Sequence, residues 1–320
     1  MWKTILRRLI LMIPQIIILS VIVFILAKLM PGDPFTGLIT PNTSPAELAK
    51  LKEAAGLNNP WYVQYFDWIK NIFHGDLGMS YQFKTPVSSL ILSRAMNTLW
   101  LSLLSVLLSY GIAIPLAIQA GRYENSLKDR SIQLYTFIAY AVPAFIFYLI
   151  GVYIFGYQLH WFPTSGSVDV TSNMSTIQYL FSRLYHMLLP AILMALISTP
   201  TIIQYLRTEI IDNTHMDYVK TARAKGVSER RIFNHHIFRN SLLPTAAFMG
   251  YSITGLLGGS IFVETIFSYP GMGLLFMNAI TSRDYSVITA LVLLFGILNL
   301  FGSLLSDIIL SIVDPRVRIE

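Results

Sequence analysis

The chain has 320 residues, 54% of them hydrophobic and only 12% charged, with a mean hydropathy of +0.58. Soluble domains carry about 25% charged residues, so this composition excludes an ordinary soluble enzyme and points to a membrane protein. The net charge of +6 and pI of about 9.4 follow from basic residues beside apolar runs, a topology signal and not a nucleic-acid footprint, and the lack of cysteine excludes disulfides and thiol chemistry.

Lys3, Arg7 and Arg8 precede the first apolar run, residues 9–27. This run is longer than the core of a signal peptide, and no A-x-A site follows it, so it is expected to remain as an anchor with the N-terminus inside. Residues 1–30 therefore form a tail and a first span. Residues 31–97 are the first long connection, expected outside. Within it, residues 43–56 carry helix signals at both ends: Ser44 as N-cap, Pro45 at the first helical position, Glu47 three residues after the cap, and Gly56 as terminator. WYVQYFDWIKNIF then repeats Trp61, Tyr65, Trp68, Ile69, Ile72 and Phe73 at helical spacing. One reading is an aromatic helix lying on the headgroups. The other is a small external domain that receives another protein, with Trp61, Tyr65, Trp68, Asp76 and Gly78 as docking candidates.

Residues 98–320 form the core. Five more apolar runs, 100–120, 131–158, 187–206, 241–263 and 285–306, each reach roughly the 18–20 residues that cross about 30 Å of hydrocarbon. In lipid the backbone must satisfy its own hydrogen bonds, so such runs are helices. The expectation is an all-α integral membrane protein with six transmembrane helices. Arg122, Lys128 and Arg130 lie between the second and third spans, and Arg316 and Arg318 follow the last, while the short outer connections hold little beyond Arg183 and Arg283. That asymmetry places both termini in the cytoplasm. Pro14, Pro115, Pro143, Pro190, Pro200 and Pro244 fall within spans or at their entrances, where kinks are expected. Gly250, Gly255, Gly258 and Gly259 in the fifth span allow close helix packing, with pathway lining as the second reading.

The other long connection, residues 207–241, is expected inside and is basic. Its stretch DYVKTARAKGVSERRIFNHHIFRNSLLP holds six Lys/Arg against two carboxylates. Thr214 and Asp217 have capping-box spacing. The first helix then runs through Val219 and Ala222 to Lys225, Gly226 suits the left-handed C′ position, and Val227 is placed to fold back on Ala222 as in a Schellman motif. Ser228 is placed to cap a second helix through Ile232, Phe233 and Ile237. This is a helix, a glycine corner and a helix: a ledge.

Other chemistry is missing. The sequence contains no P-loop G-x-x-x-x-G-K-[ST], no G-x-S-x-G and no H-E-x-x-H. His235 and His236 are adjacent and lack metal-ligand spacing. The spans are nearly empty of ionisable groups, whereas an ion-coupled secondary transporter, the rival from another class, keeps an intramembrane relay. The membrane part reads as a passage with no engine of its own.

YVKTARAKGVSERRIF, HIFRNSLLP, LMPGDPF, GLNNPWYVQYFDWIKNIFHGDLGMSY, ETIFSYPGMGLL with SRDYS, and VDPRVR together resemble the binding-protein-dependent ABC importer permeases, and within them the first permease subunit of oligopeptide transporters. The resemblance covers almost the whole chain. Where the common family form opens Glu-Ala-Ala, this chain has Lys220-Thr221-Ala222, with Gly226 in the glycine place. The resemblance implies a type I permease fold with a small extracytoplasmic helical insertion. It implies a second homologous permease, two cytoplasmic ATPases that bind ATP and Mg, an external peptide-binding protein and a peptide cargo. It assigns ATPase coupling to Tyr218, Lys220, Thr221, Ala222, Arg223, Ala224, Lys225, Gly226 and Val227, and no cofactor to this chain. A permease for another cargo, such as a dipeptide or metal chelate, is the alternative within the family.

Overall fold

The computed structural model describes residues 2–30, 58–169, 174–242, 245 and 261–313, and every regular element among them is helical. The expected helix at 43–56, Gly250, Gly255, Gly258, Gly259, Pro244, Arg316 and Arg318 lie outside the described residues.

Helix α1 (Trp2–Leu29) exposes Ile10, Ile13, Ile17 and Ile22, the chemistry of a lipid-facing surface. Its other side lies along the last helix, which runs from Tyr285 to Val313, where Leu19 fills the space above Gly296. Helix α2 (Trp61–Phe73) carries the predicted aromatic repeat. The centre of the bundle is the pair α3 (Val87–Arg122) and α6 (Thr176–Thr214), of 36 and 39 residues. At about 1.5 Å per residue they are roughly 54 and 58 Å long, well beyond the hydrocarbon thickness of about 30 Å. They overrun the expected spans 100–120 and 187–206 at both ends, and Pro115, Pro190 and Pro200 sit inside unbroken helix.

The expected third span, 131–158, is not one helix. Helix α4 (Leu127–Ala141) stops at Val142, whose ψ of 120° is extended, and Pro143 opens α5 (Ala144–Gly151), which continues as a π-helical stretch Val152–Gln158. The two arms meet at 102°. Proline offers no N–H and its ring drives the preceding residue out of the α region, so the chain turns at Val142–Pro143. Beyond the bend, Tyr148 and Val152 are buried with Leu189 and Leu193 of α6 and with Val263 and Phe267.

Helix α7 (Asp217–Ala224) and α8 (Glu229–Ile232), with the π-helical stretch Phe233–Phe238, form the ledge. Helices α9 (Ile261–Ile266), α10 (Met272–Ser282) and α11 (Tyr285–Val313) complete the fold. Helix α10 is an addition to the sequence reading. It packs Met272, Leu275 and Ala279 against Val87 and Ile91 of α3 and Val287, Ile288 and Leu291 of α11. Among the described residues, four helices are long and apolar enough to cross a membrane, five when the bent pair counts as one span.

Candidate functional site

The ledge begins where α6 ends. Thr214 donates its hydroxyl to Ile210 O at 2.7 Å and belongs to the last turn of α6. The capping box expected of Thr214 and Asp217 therefore does not form. Helix α7 starts after Met216 with no side-chain cap, because α6, held by the buried Leu206 and Ile210, runs on through the position that the box needed.

The corner has the predicted geometry. Gly226 has φ +73°, its N–H donates to Arg223 O at 2.9 Å, and the N–H of Val227 donates to Ala222 O at 3.2 Å. These are the two bonds of a Schellman motif. Ser228 stands at the N-cap of α8 with extended dihedrals, although its side chain makes no capping bond.

Burial sorts the nine coupling candidates. Ala222 is inside, together with its neighbour Val219, which is not one of the nine, in a cluster with Ala113, Ala117 and Ala120 of α3, Ile203, Leu206 and Ile210 of α6, and Ile232, Phe233 and Ile237 beyond the corner. The small size of Ala222 thus serves packing within its own chain. Val227 is half-buried against the same cluster, and Tyr218, Lys220, Thr221, Arg223, Ala224, Lys225 and Gly226 are exposed. Arg223 forks onto Glu229 at 2.8 and 3.3 Å, bridging the two helices across the glycine, and Lys220 pairs with Asp217 at 2.9 Å. These hydrogen bonds hold the carboxyls of Glu229 and Asp217 below the usual carboxylate range, so both pairs persist at neutral pH and are lost on acidification. Exposed pairs of this kind contribute about 0–1 kcal/mol, so the apolar cluster, not the ion pairs, holds the ledge.

Two further contacts join the ledge to the bundle, and a third braces the bundle beside it. Arg122, in the last turn of α3, lies 4.9 Å over the Phe233 ring. Ser241 donates to Glu209 O of α6 at 3.0 Å. Above it, Arg207 of α6 forks onto Asp129 of α4 with two bonds of 2.8 Å, and Asp129 also accepts from the N–H of Asn125. A buried bidentate pair with its remaining acceptor capacity satisfied fixes geometry more than it adds stability. The foot of the bundle is thereby tied together across α3, α4 and α6.

At the far end of the bundle the docking candidates divide. Tyr65 stacks edge-on against Phe24 of α1 at 5.5 Å and hydrogen-bonds Ser20 at 2.8 Å, and Trp68 lies against the same ring. Both pack within the chain. Gly78 (φ +85°) sits beside Ser286, and its N–H donates to Asp76. Trp61 and Asp76 face outward. Lys28, Gln64, Asp67, Trp68, Tyr81 and Tyr285 border a cleft of about 310 Å³.

Three acidic side chains are buried just outside the ends of the expected spans. Asp129 is one. Asp284 is another, accepting from Ser80 and from the N–H of Gln82, so it ties residues 80–82 to the start of α11. The third is Glu264, wholly buried. It accepts from the Thr98 hydroxyl at 2.9 Å and from the N–H groups of Gly273 and Leu274 at 2.7 and 3.0 Å, in place of the cap that Gly271 cannot supply. A lone acid within FVETIF was its only sequence signal, and its partners lie 166, 9 and 10 residues away. Among the described residues, no cluster of His, Asp and Glu could hold a metal ion.

A rigid basic corner at the foot of a long helix, beneath a bundle of apolar spans, is the combination that the family comparison bears on. Residues 113–319 match the family described as the binding-protein-dependent transport system inner membrane component, and residues 1–102 match its N-terminal region. The chain belongs to this family. The permease is 39% identical over 315 residues to the oligopeptide transport system permease protein AppB of Bacillus subtilis, with 98% of each chain covered. It is 32% identical over 318 residues to the glutathione transport system permease protein GsiC of Salmonella choleraesuis, with 99% of each covered. Among solved structures it is similar to the MetNI methionine ABC transporter in an inward-facing form, with a TM-score of 0.51 and 15% identity, covering 70% of this chain and 96% of that one. That likeness is one of fold. The permease is a multi-pass protein of the bacterial inner membrane and a transport subunit, not an enzyme.

Proposed function

We propose that this chain is one half of the passage of an ATP-driven oligopeptide importer, working with a second homologous permease, two cytoplasmic ATPases and an external peptide-binding protein. The observation that carries this reading is the continuity of α6 with the ledge: a 39-residue rod that ends two residues before a Schellman-closed knob. A partner that grips the exposed face of the knob, Tyr218 to Gly226, moves α6 as a rigid body. The ATPases supply the energy, and the two permease halves alternate between outward and inward access. The relatives named for oligopeptide and glutathione transport support a peptide cargo. The glycines of the fifth span, Gly250, Gly255, Gly258 and Gly259, suit close packing within that bundle, and Trp61 and Asp76 are the outward-facing docking candidates. A dipeptide or metal-chelate cargo is the alternative, decided mostly by the binding protein.

Purification in mild detergent from the native membrane, followed by mass spectrometry, tests the assembly. The expected companions are a six-span permease and two P-loop ATPases. A chain that purifies alone, with no ATPase even after crosslinking at Ala224, removes the coupling reading. Uptake of labelled peptides by cells then tests the cargo.

Six spans with both termini inside is the topology that goes with this reading. Single cysteines near Leu77 should react with an impermeant thiol reagent only from outside, and those near Ser228 only from inside. Reversed labelling sinks the orientation.

A further inference from the structure

Along α6 the exposed side chains change character. Near its start they are Ile177, Leu180, Phe181 and Leu184. From the middle of the helix onward they are Ser198, Thr201, Tyr205 and Thr208, and then Asp212 as the helix approaches the ledge. Intervals of three and four residues place these five within one sector about 80° wide, at about 100° per residue. Thr199, Ile203, Leu206 and Ile210, on the other side, are buried. Through the middle of α3, which packs against α6, the exposed side chains are Met96, Trp100, Leu107 and Pro115 instead.

Hydrocarbon is a poor solvent for such a stripe. Each hydroxyl left without a partner there costs free energy, and residues 198–206 lie within the apolar part of the helix. Ser198 returns its proton to Met194 O, but a hydroxyl satisfied in this way keeps acceptor capacity, and the Tyr205 ring is half exposed. A second observation extends the stripe. Tyr140 of α4, 57% exposed, reaches across and donates to Thr201 at 3.3 Å. A third concerns charge. Arg207 follows Tyr205 closely in sequence but turns into the bundle, where the Asp129 fork neutralises it. The outer sector therefore shows hydroxyls and no charge until the turn that carries Glu209 and Asp212.

We propose that Ser198, Thr201, Tyr205 and Thr208, with Tyr140, form the wall of a water-filled passage and meet the backbone of the passing peptide. Hydroxyls both donate and accept, so they match amide N–H and C=O groups without selecting the charge or size of side chains. This wall suits a cargo of varied sequence. The peptide part rests on the function proposed above; the water-filled part does not.

The absence of cysteine makes the test direct. Ser198→Cys, Thr201→Cys, Tyr205→Cys and Thr208→Cys are placed singly in the chain, and open membrane fragments holding the assembled transporter are treated with an impermeant methanethiosulfonate. Labelling at these positions is expected at least 10-fold faster than at Ile17→Cys and Leu107→Cys on lipid-facing surfaces, and several-fold slower when tetra-alanine is present. Labelling at control rates, or fast labelling only once the chain is separated from its partners, overturns the passage. Fast labelling with no protection, in a transporter whose cells do take up tetra-alanine, overturns the peptide contact. Fast labelling in a transporter whose cells take up no peptide supports the passage and refutes the cargo reading.

Discussion

Gly226→Val is expected to reduce ATP-driven uptake to background while the chain remains in the membrane within about twofold of its normal amount. The reason is local. Gly226 has φ +73°, and a Cβ built there meets nothing within 4 Å. The cost therefore comes from the backbone and not from a clash. An L-residue in the left-handed region costs roughly 1–2 kcal/mol, and a β-branched one is a stronger outlier. The corner relaxes that strain by opening, which breaks the Gly226–Arg223 and Val227–Ala222 bonds and turns the exposed face of α7 away from its partner. The buried side of the ledge, Val219 and Ala222 against α3 and α6, does not depend on the corner alone, so the chain still folds. Gly226→Asn, which tolerates this region far better, should keep most of the uptake. Uptake by Gly226→Val at the wild-type rate would remove the coupling role from the corner.

Glu264→Ala has the other large effect, and it falls on stability. Alanine strips the acceptor from two buried N–H groups, Gly273 and Leu274, and from the Thr98 hydroxyl, which itself accepts from Met272 N–H at 2.8 Å. Removing one member of a buried polar network leaves the others unsatisfied, at a cost of about 1–3 kcal/mol for each group left buried. The melting temperature of the purified transporter is expected to fall by on the order of 10 °C. Glu264→Gln keeps the shape and one oxygen for the two N–H groups, so its loss should be much smaller. The neighbouring glycines give a second check. A Cβ at Gly271 would run into the Glu264 carboxyl group and lie 2.5 Å from Thr98 Oγ1, and one at Gly273 would lie 2.9 Å from Ile261 Cα. Gly271→Ala should thus cost less in the Glu264→Ala background than alone, a coupling that a double-mutant cycle reads directly. An unchanged melting temperature for Glu264→Ala would mean that the network is not a clamp.

The two effects lie at opposite ends of the bundle and differ in how far they could be read beforehand. The Gly226 corner closes within six residues, Ala222 to Val227, by bonds between neighbours, so residue type and spacing suffice to specify it. The aromatic helix Trp61–Phe73 and the apolar spans follow in the same way, from a repeat that any helix must obey and from a solvent that forbids unpaired backbone. The break at Val142–Pro143 has a local cause as well, since it arises from the proline ring; its 102° angle does not. That angle belongs to the packing of Tyr148 and Val152 on α6.

Tertiary structure decided the rest. Whether Thr214 capped a new helix or finished the old one depended on the burial of Ile210 against α3. Ala222 could face a partner or its own core, and the cluster drew it inward. Glu264, Asp129 and Asp284 gained their meaning from Thr98, Arg207 and Ser80, which are 166, 78 and 204 residues away. Ser198, Thr201, Tyr205 and Thr208 share a helix face by spacing alone, but only the packing of α3 and α4 on the opposite side left that face open. Local sequence determines backbone geometry because the interactions that set it are local; which face is buried and which acid finds a partner depend on contacts between segments that only the folded bundle brings together.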